Sequence, residues 1–86
     1  MKKENIKVGM YVMVKSKKKC EELGWDFGEN WFDPQLCGQK VEVESKVSNA
    51  EWDNNSYFDS VDVKRESLTQ TIPFHLLKKL KEDSNE

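Results

Sequence analysis

The sequence is poor in the residues from which most catalytic and nucleotide sites are built. It contains one histidine, two cysteines and four glycines among 86 residues. No glycine-rich phosphate loop is present, which argues against a nucleotide site. His75 has no Ser or Cys partner at a suggestive spacing, and no acid stands alone on an apolar background that would raise its pKa. We therefore predict no enzymatic activity, no catalytic residues and no cofactor.

The cysteines do not have the spacing of a metal site. Structural zinc takes four ligands, usually in close pairs, whereas Cys20, Cys37 and His75 are scattered along the chain. The sequence therefore predicts no metal. Because the protein is predicted below to be cytoplasmic, we expect both cysteines to be reduced thiols.

Long apolar runs are also missing. The longest apolar-rich run, 8–14, contains Gly9 and falls far short of the roughly 20 residues that a membrane span needs. The basic start of the chain is not followed by the apolar stretch of a signal peptide. These absences predict a cytoplasmic protein that has no membrane partner.

Charge and aromatic residues are what the sequence does have. Residues 1–20 carry seven lysines and one acid, whereas residues 21–63 carry eleven acids and two lysines. Three Trp, four Phe and two Tyr supply large anchors and argue against a disordered chain. The length allows one domain, 1–86, with an ordered core over about 7–80 and loose termini at 1–5 and 81–86.

The clearest periodic pattern lies in the middle of the chain, at 40–47. Val41, Val43 and Val47 alternate there with charged residues, as expected for a half-buried β-strand. Further strands are predicted at 8–15, 57–63, 67–72 and 78–80, and helical turns at 17–24, 33–38 and 73–77. Ser16 and Gly24 are the predicted caps of the first helical turn, and Asp33 followed by Pro34 begins the second. Residues 21–33 are predicted as a long ordered loop and 48–56 as a region of turns.

About five short strands with tight connections predict an all-β fold, in which a small closed or nearly closed barrel leaves few strand edges. The predicted core consists of Val8, Met10, Val12, Val14, Leu36, Val41, Val43, Val61, Leu68, Ile72, Phe74 and Leu77.

Three pieces of the sequence resemble small SH3-like barrel proteins of bacteria and their phages. They are the opening run 8–14, the step Phe32-x-x-x-Leu36-x-Gly38-x-x-Val41 and the closing Ile72-Pro73-Phe74-x-x-Leu77. The resemblance covers about 7–80 and implies a single small SH3-like barrel that binds protein, peptide or nucleic acid, usually without a cofactor. The chain lacks the paired Trp of eukaryotic peptide-binding SH3 domains, so their ligand groove is not transferred to it.

The long loop combines aromatic rings with acids and has no basic residue. A basic or proline-rich peptide could bind there between aromatic shelves and acidic rims. The predicted site consists of Trp25, Asp26, Glu29 and Trp31. The alternative is that some of the rings plug one end of the barrel beneath the loop. The primary prediction is accordingly a non-catalytic module that binds a protein or peptide.

A nucleic-acid-binding barrel is the second prediction. Lys15, Lys17, Lys18 and Lys19 would bind phosphates, with Tyr11 or Trp52 stacking on bases. The negative net charge and the neighbouring acidic loop oppose it. A third possibility is self-association through uncovered strand edges or through Trp52.

Overall fold

The described part of the chain is dominated by one antiparallel sheet. The computed structural model describes residues 2–52 and 55–80. Within them the strands are β1 (Tyr11–Val14), β2 (Lys40–Val43), β3 (Ser48–Glu51), β4 (Tyr57–Arg65), β5 (Leu68–Pro73) and β6 (Leu77–Lys79). Helical segments are α1 (Lys17–Glu22) and the 3₁₀ turns Lys3–Asn5, Pro34–Leu36 and Phe74–Leu76. The sheet curls into half of a barrel, which confirms the predicted small all-β fold.

The long strand β4 is the hub of the sheet. One edge of β4 pairs with β3 through its first half and with β2 through its second half, and the other edge pairs with β5. The sheet then continues from β2 to β1 and β6. Ser60 and Val61 are adjacent, yet both are buried, so the alternation of inward and outward side chains along β4 is interrupted there. The interruption lies where the partner of β4 changes from β3 to β2. The strand therefore bends across the core.

The predicted strand 40–47 is shorter than its pattern indicates. Val41 and Val43 point into the core as predicted, but β2 ends at Val43. If β2 continued, one of its backbone carbonyls would accept the Asp62 backbone N–H. This N–H donates instead to Ser45 Oγ at 3.1 Å. This serine side chain replaces the ladder bond, and Val47 packs against the core from outside the strand.

Residues 48–51 form β3, although the sequence predicts turns for this region. Ser48, Asn49 and Glu51 are exposed and Ala50 is only half-buried, so the segment has no apolar alternation to detect. The segment is held as a strand by the backbone hydrogen bonds of its antiparallel pairing with β4. Propensity was overridden here by tertiary pairing, as is common for strands at a sheet edge. The predicted connection near residues 53–55 lies mostly outside the described residues.

The start of the chain differs from the prediction in four ways. β1 begins at Tyr11, and the Met10 backbone N–H donates to the Lys7 carbonyl in a turn that precedes it. Gly9 has a φ of 93° in this turn, and Val8 is 61% exposed rather than in the core. Ile6 is buried instead. Residues 3–5, predicted to be loose, form a 3₁₀ turn; the predicted loose tail 81–86 lies outside the described residues.

The core agrees with the sequence pattern over most of the sheet. Eight predicted core residues are buried: Val12, Val14, Leu36, Val41, Val43, Val61, Ile72 and Leu77. Met10, Leu68 and Phe74 are partly buried and pack against them. Buried residues outside the predicted set include Cys20, Trp25, Val63 and Leu76. The largest addition comes from the loop, because Trp25 and Phe32 extend the core beneath it.

Helix α1 has the caps that its sequence predicts. Ser16 Oγ accepts the Lys19 backbone N–H at 3.1 Å, and Gly24 follows the helix with a φ of 95°. Ser16→Ala is expected to lower the free energy of unfolding by about 1 kcal/mol, whereas Ser16→Gly should cost only a few tenths. Urea unfolding of the two variants measures this difference, and equal losses would contradict a capping role.

No helix among the described residues has both the length and the apolar content needed to cross a membrane.

Candidate interaction surface

The loop between α1 and β2 is held by an aromatic cluster centred on Trp25. Trp25 is only 4% exposed, and its ring centroid lies 5.0 Å from that of Trp52 and 5.8 Å from that of Phe32. Phe58 and Phe27 complete the cluster at 5.9 and 6.4 Å. Trp25 is therefore packed beneath the loop, which is the alternative that the sequence analysis gave for some of the loop rings. It does not offer a face to a partner.

The cluster is held by packing more than by hydrogen bonds. The buried Trp25 Nε1 has no hydrogen-bond acceptor within residues 2–52 and 55–80. Such an unpaired donor costs roughly 1–3 kcal/mol, less than the gain from burying an indole ring in contact with other rings. Trp52 Nε1, by contrast, donates to Ser60 Oγ at 3.2 Å. Trp52 is therefore half-buried in this cluster.

Trp31 is the aromatic side chain that the loop displays. It is 58% exposed, whereas its neighbours Asn30 and Phe32 are 3% and 1% exposed. Both flanking side chains are thus fixed in the protein interior, and the indole between them points outward. Tryptophan is seldom so exposed in a folded domain, because it buries a large apolar area when it packs.

Acids surround this indole in the chain and stabilise the loop backbone. Asp26 Oδ1 accepts the Gly28 N–H at 2.7 Å, and the Asp26 carbonyl accepts the Asn30 N–H at 2.8 Å. Glu29 is exposed and free to contact a partner. The Asp33 N–H donates to Gln70 Oε1 at 2.9 Å, which ties the end of the loop to β5. Of the predicted site, Asp26, Glu29 and Trp31 are at the surface, while Trp25 lies behind them.

Three of the four lysines of the predicted basic segment lie near partners within the molecule. Lys15 Nζ donates to the His75 carbonyl at 2.9 Å, and Lys17 Nζ lies 5.7 Å from the centre of the Phe27 ring. Lys19 Nζ is 3.8 Å from Glu22 Oε1. Three of the four predicted lysines therefore have partners within the molecule, two of them in or beside the acidic loop. Lys18 is exposed.

The pKa values of both cysteines and of His75 are shifted in the direction that keeps each side chain uncharged. Burial, and after it the neighbouring Cys37 thiol, raises the pKa of Cys20 to about 12. Burial also raises the pKa of Cys37. Desolvation, followed by the Lys15 ammonium, lowers the pKa of His75. At neutral pH both thiols and the imidazole are therefore uncharged. The described residues include no group of three or more His, Cys, Asp or Glu that could hold a metal ion.

Asn30 is the residue of this surface that sequence reasoning missed. Its side chain is buried and it makes an interaction within the protein. An asparagine in a loop normally indicates a turn, so nothing in the local sequence signals that it anchors Trp31.

No model of a known protein family, no curated protein and no solved structure matches this chain.

Proposed function

We propose that the protein is a non-catalytic interaction module that binds a basic, extended segment of a partner protein through Trp31. Asp26 and Glu29 form the acidic rim of this surface. The observation that carries the proposal is the exposed indole of Trp31 between two buried neighbours. Its buried neighbours fix the backbone at Trp31, so little backbone entropy is lost when a partner covers the indole.

The chemistry of the loop selects the partner. Tryptophan is among the residues that contribute most to binding energy at protein interfaces. Residues 21–33, which comprise the end of α1 and the first part of the loop, contain five acids and no basic residue. A lysine or arginine of the partner can place its apolar stem on the indole and its charge beside Asp26 or Glu29. We therefore propose a ligand rich in Lys or Arg, with proline favouring the extended conformation.

We also propose that the half-barrel is of the SH3-like type. The support is the order of its elements from β1 onward: a strand, a helix and long loop that end in a 3₁₀ turn, four strands, another 3₁₀ turn and a last short strand. That order agrees with the sequence resemblance except for the additional strand β3.

The test uses a panel of short synthetic peptides that carry Lys or Arg beside proline, with acidic peptides of equal length as the negative set. Binding is followed by amide and indole NMR signals of the isotopically labelled protein. Basic peptides should shift the Trp31 indole signal and the amides of Asp26 and Glu29. Trp31→Ala should weaken the binding by about 30-fold or more, as expected for an interface hot spot.

Two variants make this test specific. Glu29→Gln keeps the shape of a side chain for which no structural hydrogen bond is described, and should weaken binding mainly at low salt. Tyr11→Leu changes an exposed aromatic residue on β1 and should leave peptide binding unchanged. The proposal is wrong if acidic peptides bind as well as basic ones, or if Trp31→Ala binds like the unaltered protein.

A further inference from the structure

The outward face of the sheet around β1 carries lysines that the sequence does not bring together. Val12 and Val14 point into the core, so Met13 between them points outward. Residues directly opposite each other on antiparallel strands point to the same face. The register places Met13 opposite Lys40 on β2 and opposite Lys78 on β6. The two lysines therefore flank β1 on its outward face, about 10 Å apart across the three strands.

Tyr11 lies on the same face, one row along the strands. It is 50% exposed, and Lys40 Nζ sits 5.1 Å from the centre of its ring. Tyr11 is opposite Glu42, which is in turn opposite Lys64 of β4. The half-exposed phenol ring thus has the Lys40 ammonium over one side, and Lys79 lines the same groove. The long stem of Lys40 can move off the ring at little cost, because nothing except the cation–π contact is described for its ammonium.

Two shallow grooves run along this face. One, of about 530 Å³, is lined by Met10, Tyr11, Lys40, Lys79 and Leu80. The other, of about 260 Å³, is lined by Met13, Lys78, Lys79 and Leu80. They share Lys79 and Leu80, so they form neighbouring parts of one surface along the β1–β6 seam. Apolar floors with cationic edges suit a ligand that has flat rings and negative charges.

Charge on this face is opposite in sign to that of the whole chain. The net charge of the protein is −2, but the register places Lys40, Lys64 and Lys78 on this face against the acids Glu42 and Asp62. Lys79 of the edge strand β6, which is opposite the buried Val12, adds a further positive charge where it lines both grooves. Asp62 lies farther along β4, where it accepts a hydrogen bond from Thr71 Oγ1. The positive region therefore ends at Lys64 and is centred on β1.

We propose that this basic track, consisting of Tyr11, Met13, Lys40, Lys64, Lys78 and Lys79, binds single-stranded nucleic acid. A base stacks on Tyr11, and the lysines contact the phosphates on either side. A duplex hides the faces of its bases, so stacking on Tyr11 favours a single strand. The track differs from the basic segment predicted from the sequence, Lys15 to Lys19, and is independent of the Trp31 surface.

The test is fluorescence anisotropy of the full chain with a labelled single-stranded oligothymidylate of about 12 nucleotides. Neutralising about three phosphates should make the affinity fall about 20-fold between about 50 and about 200 mM salt. Tyr11→Leu should weaken binding by about tenfold, and Tyr11→Phe, which keeps the flat ring, should restore it. Circular dichroism of each variant establishes that the sheet is intact.

A matched pair of triple variants separates the track from the rest of the surface. Lys40→Gln, Lys64→Gln and Lys78→Gln together should abolish most of the binding and flatten its salt dependence. Lys17→Gln, Lys18→Gln and Lys19→Gln remove the same charge from α1 and should leave most of the binding in place. Trp31→Ala should not change binding of the oligonucleotide, just as Tyr11→Leu should not change binding of the peptide.

Each other outcome overturns the proposal. Equal losses from the two triple variants mean attraction to net charge alone, and a larger loss from the α1 variant assigns binding to the predicted basic segment. A duplex that binds as tightly as the single strand, or Tyr11→Leu binding like the unaltered protein, excludes stacking on Tyr11. Absence of binding at about 50 mM salt removes the track as a nucleic-acid surface altogether.

Discussion

Trp25→Ala is expected to lower the free energy of unfolding by about 3–5 kcal/mol, the range for truncating a large buried aromatic side chain. The indole is 4% exposed and contacts four other aromatic rings, so alanine leaves a cavity that these rings cannot all fill. Small domains are stable by only about 5–15 kcal/mol, and one of 86 residues belongs near the lower end. The variant should therefore retain only about 0–2 kcal/mol, so that between a few per cent and about half of it is unfolded at room temperature.

Trp31→Ala is the matched control, because it makes the same chemical change six residues later in the same loop. With the indole 58% exposed, its loss should change stability by no more than about 0.5 kcal/mol. Urea unfolding followed by far-UV circular dichroism measures both variants. Similar losses for the two substitutions would show that the loop does not bury Trp25 and display Trp31 in solution.

The contrast between these two tryptophans shows where sequence reasoning ends. Trp25 and Trp31 stand in similar surroundings, each beside an acid or an asparagine and a few residues from a phenylalanine. Trp25 packs against Trp52 and Phe58, which are distant in the chain, as well as against Phe27 and Phe32 of its own loop. The aromatic and acidic composition of the loop could be predicted from sequence. The exposure of each ring could not, because it depends on the packing of a loop that has no period.

Local chemistry predicted the turns more successfully. Ser16 and Gly24 bound α1, and Asp33 followed by Pro34 begins the 3₁₀ turn before β2, because capping acts between residues close in sequence. Period-two alternation likewise located β2 by its buried valines. Strand β3 was missed since its polar side chains carry no such alternation and its stability comes from pairing with β4.

The basic track could not be predicted from the sequence, because it depends on which strands pair. Lys40 and Lys78 become neighbours only when β2 and β6 both pair with β1. The sequence instead suggests a basic site at the adjacent lysines of α1, where Lys17 lies near the Phe27 ring and Lys19 near Glu22. Clustering along the chain is thus a poor guide to clustering on a sheet, where register decides which charges share a face.

Raising the pH above about 9 is expected to destabilise the protein through Cys20. Burial, first, and the Cys37 thiol, second, raise its pKa from an ordinary 9.0 to about 12 in the folded state. Above the ordinary value the unfolded chain loses this proton while the folded protein keeps it. The folded state therefore binds more protons, and stability falls as pH rises. At about 1.4 kcal/mol per pH unit, the loss should reach about 2–3 kcal/mol near pH 11.

Two cysteine variants isolate this effect from the tyrosines and lysines that titrate in the same range. Cys20→Ala removes the buried thiol, so its free energy of unfolding should decline less steeply with pH than that of the unaltered protein. Cys37→Ala keeps Cys20 and the burial that is the first cause of its raised pKa, so most of the steep decline should remain. Urea unfolding at a series of pH values, with a non-thiol reductant present, gives the three slopes. Parallel slopes for all three proteins would show that water reaches Cys20 in the folded state, and that the helix α1 does not seal this end of the core.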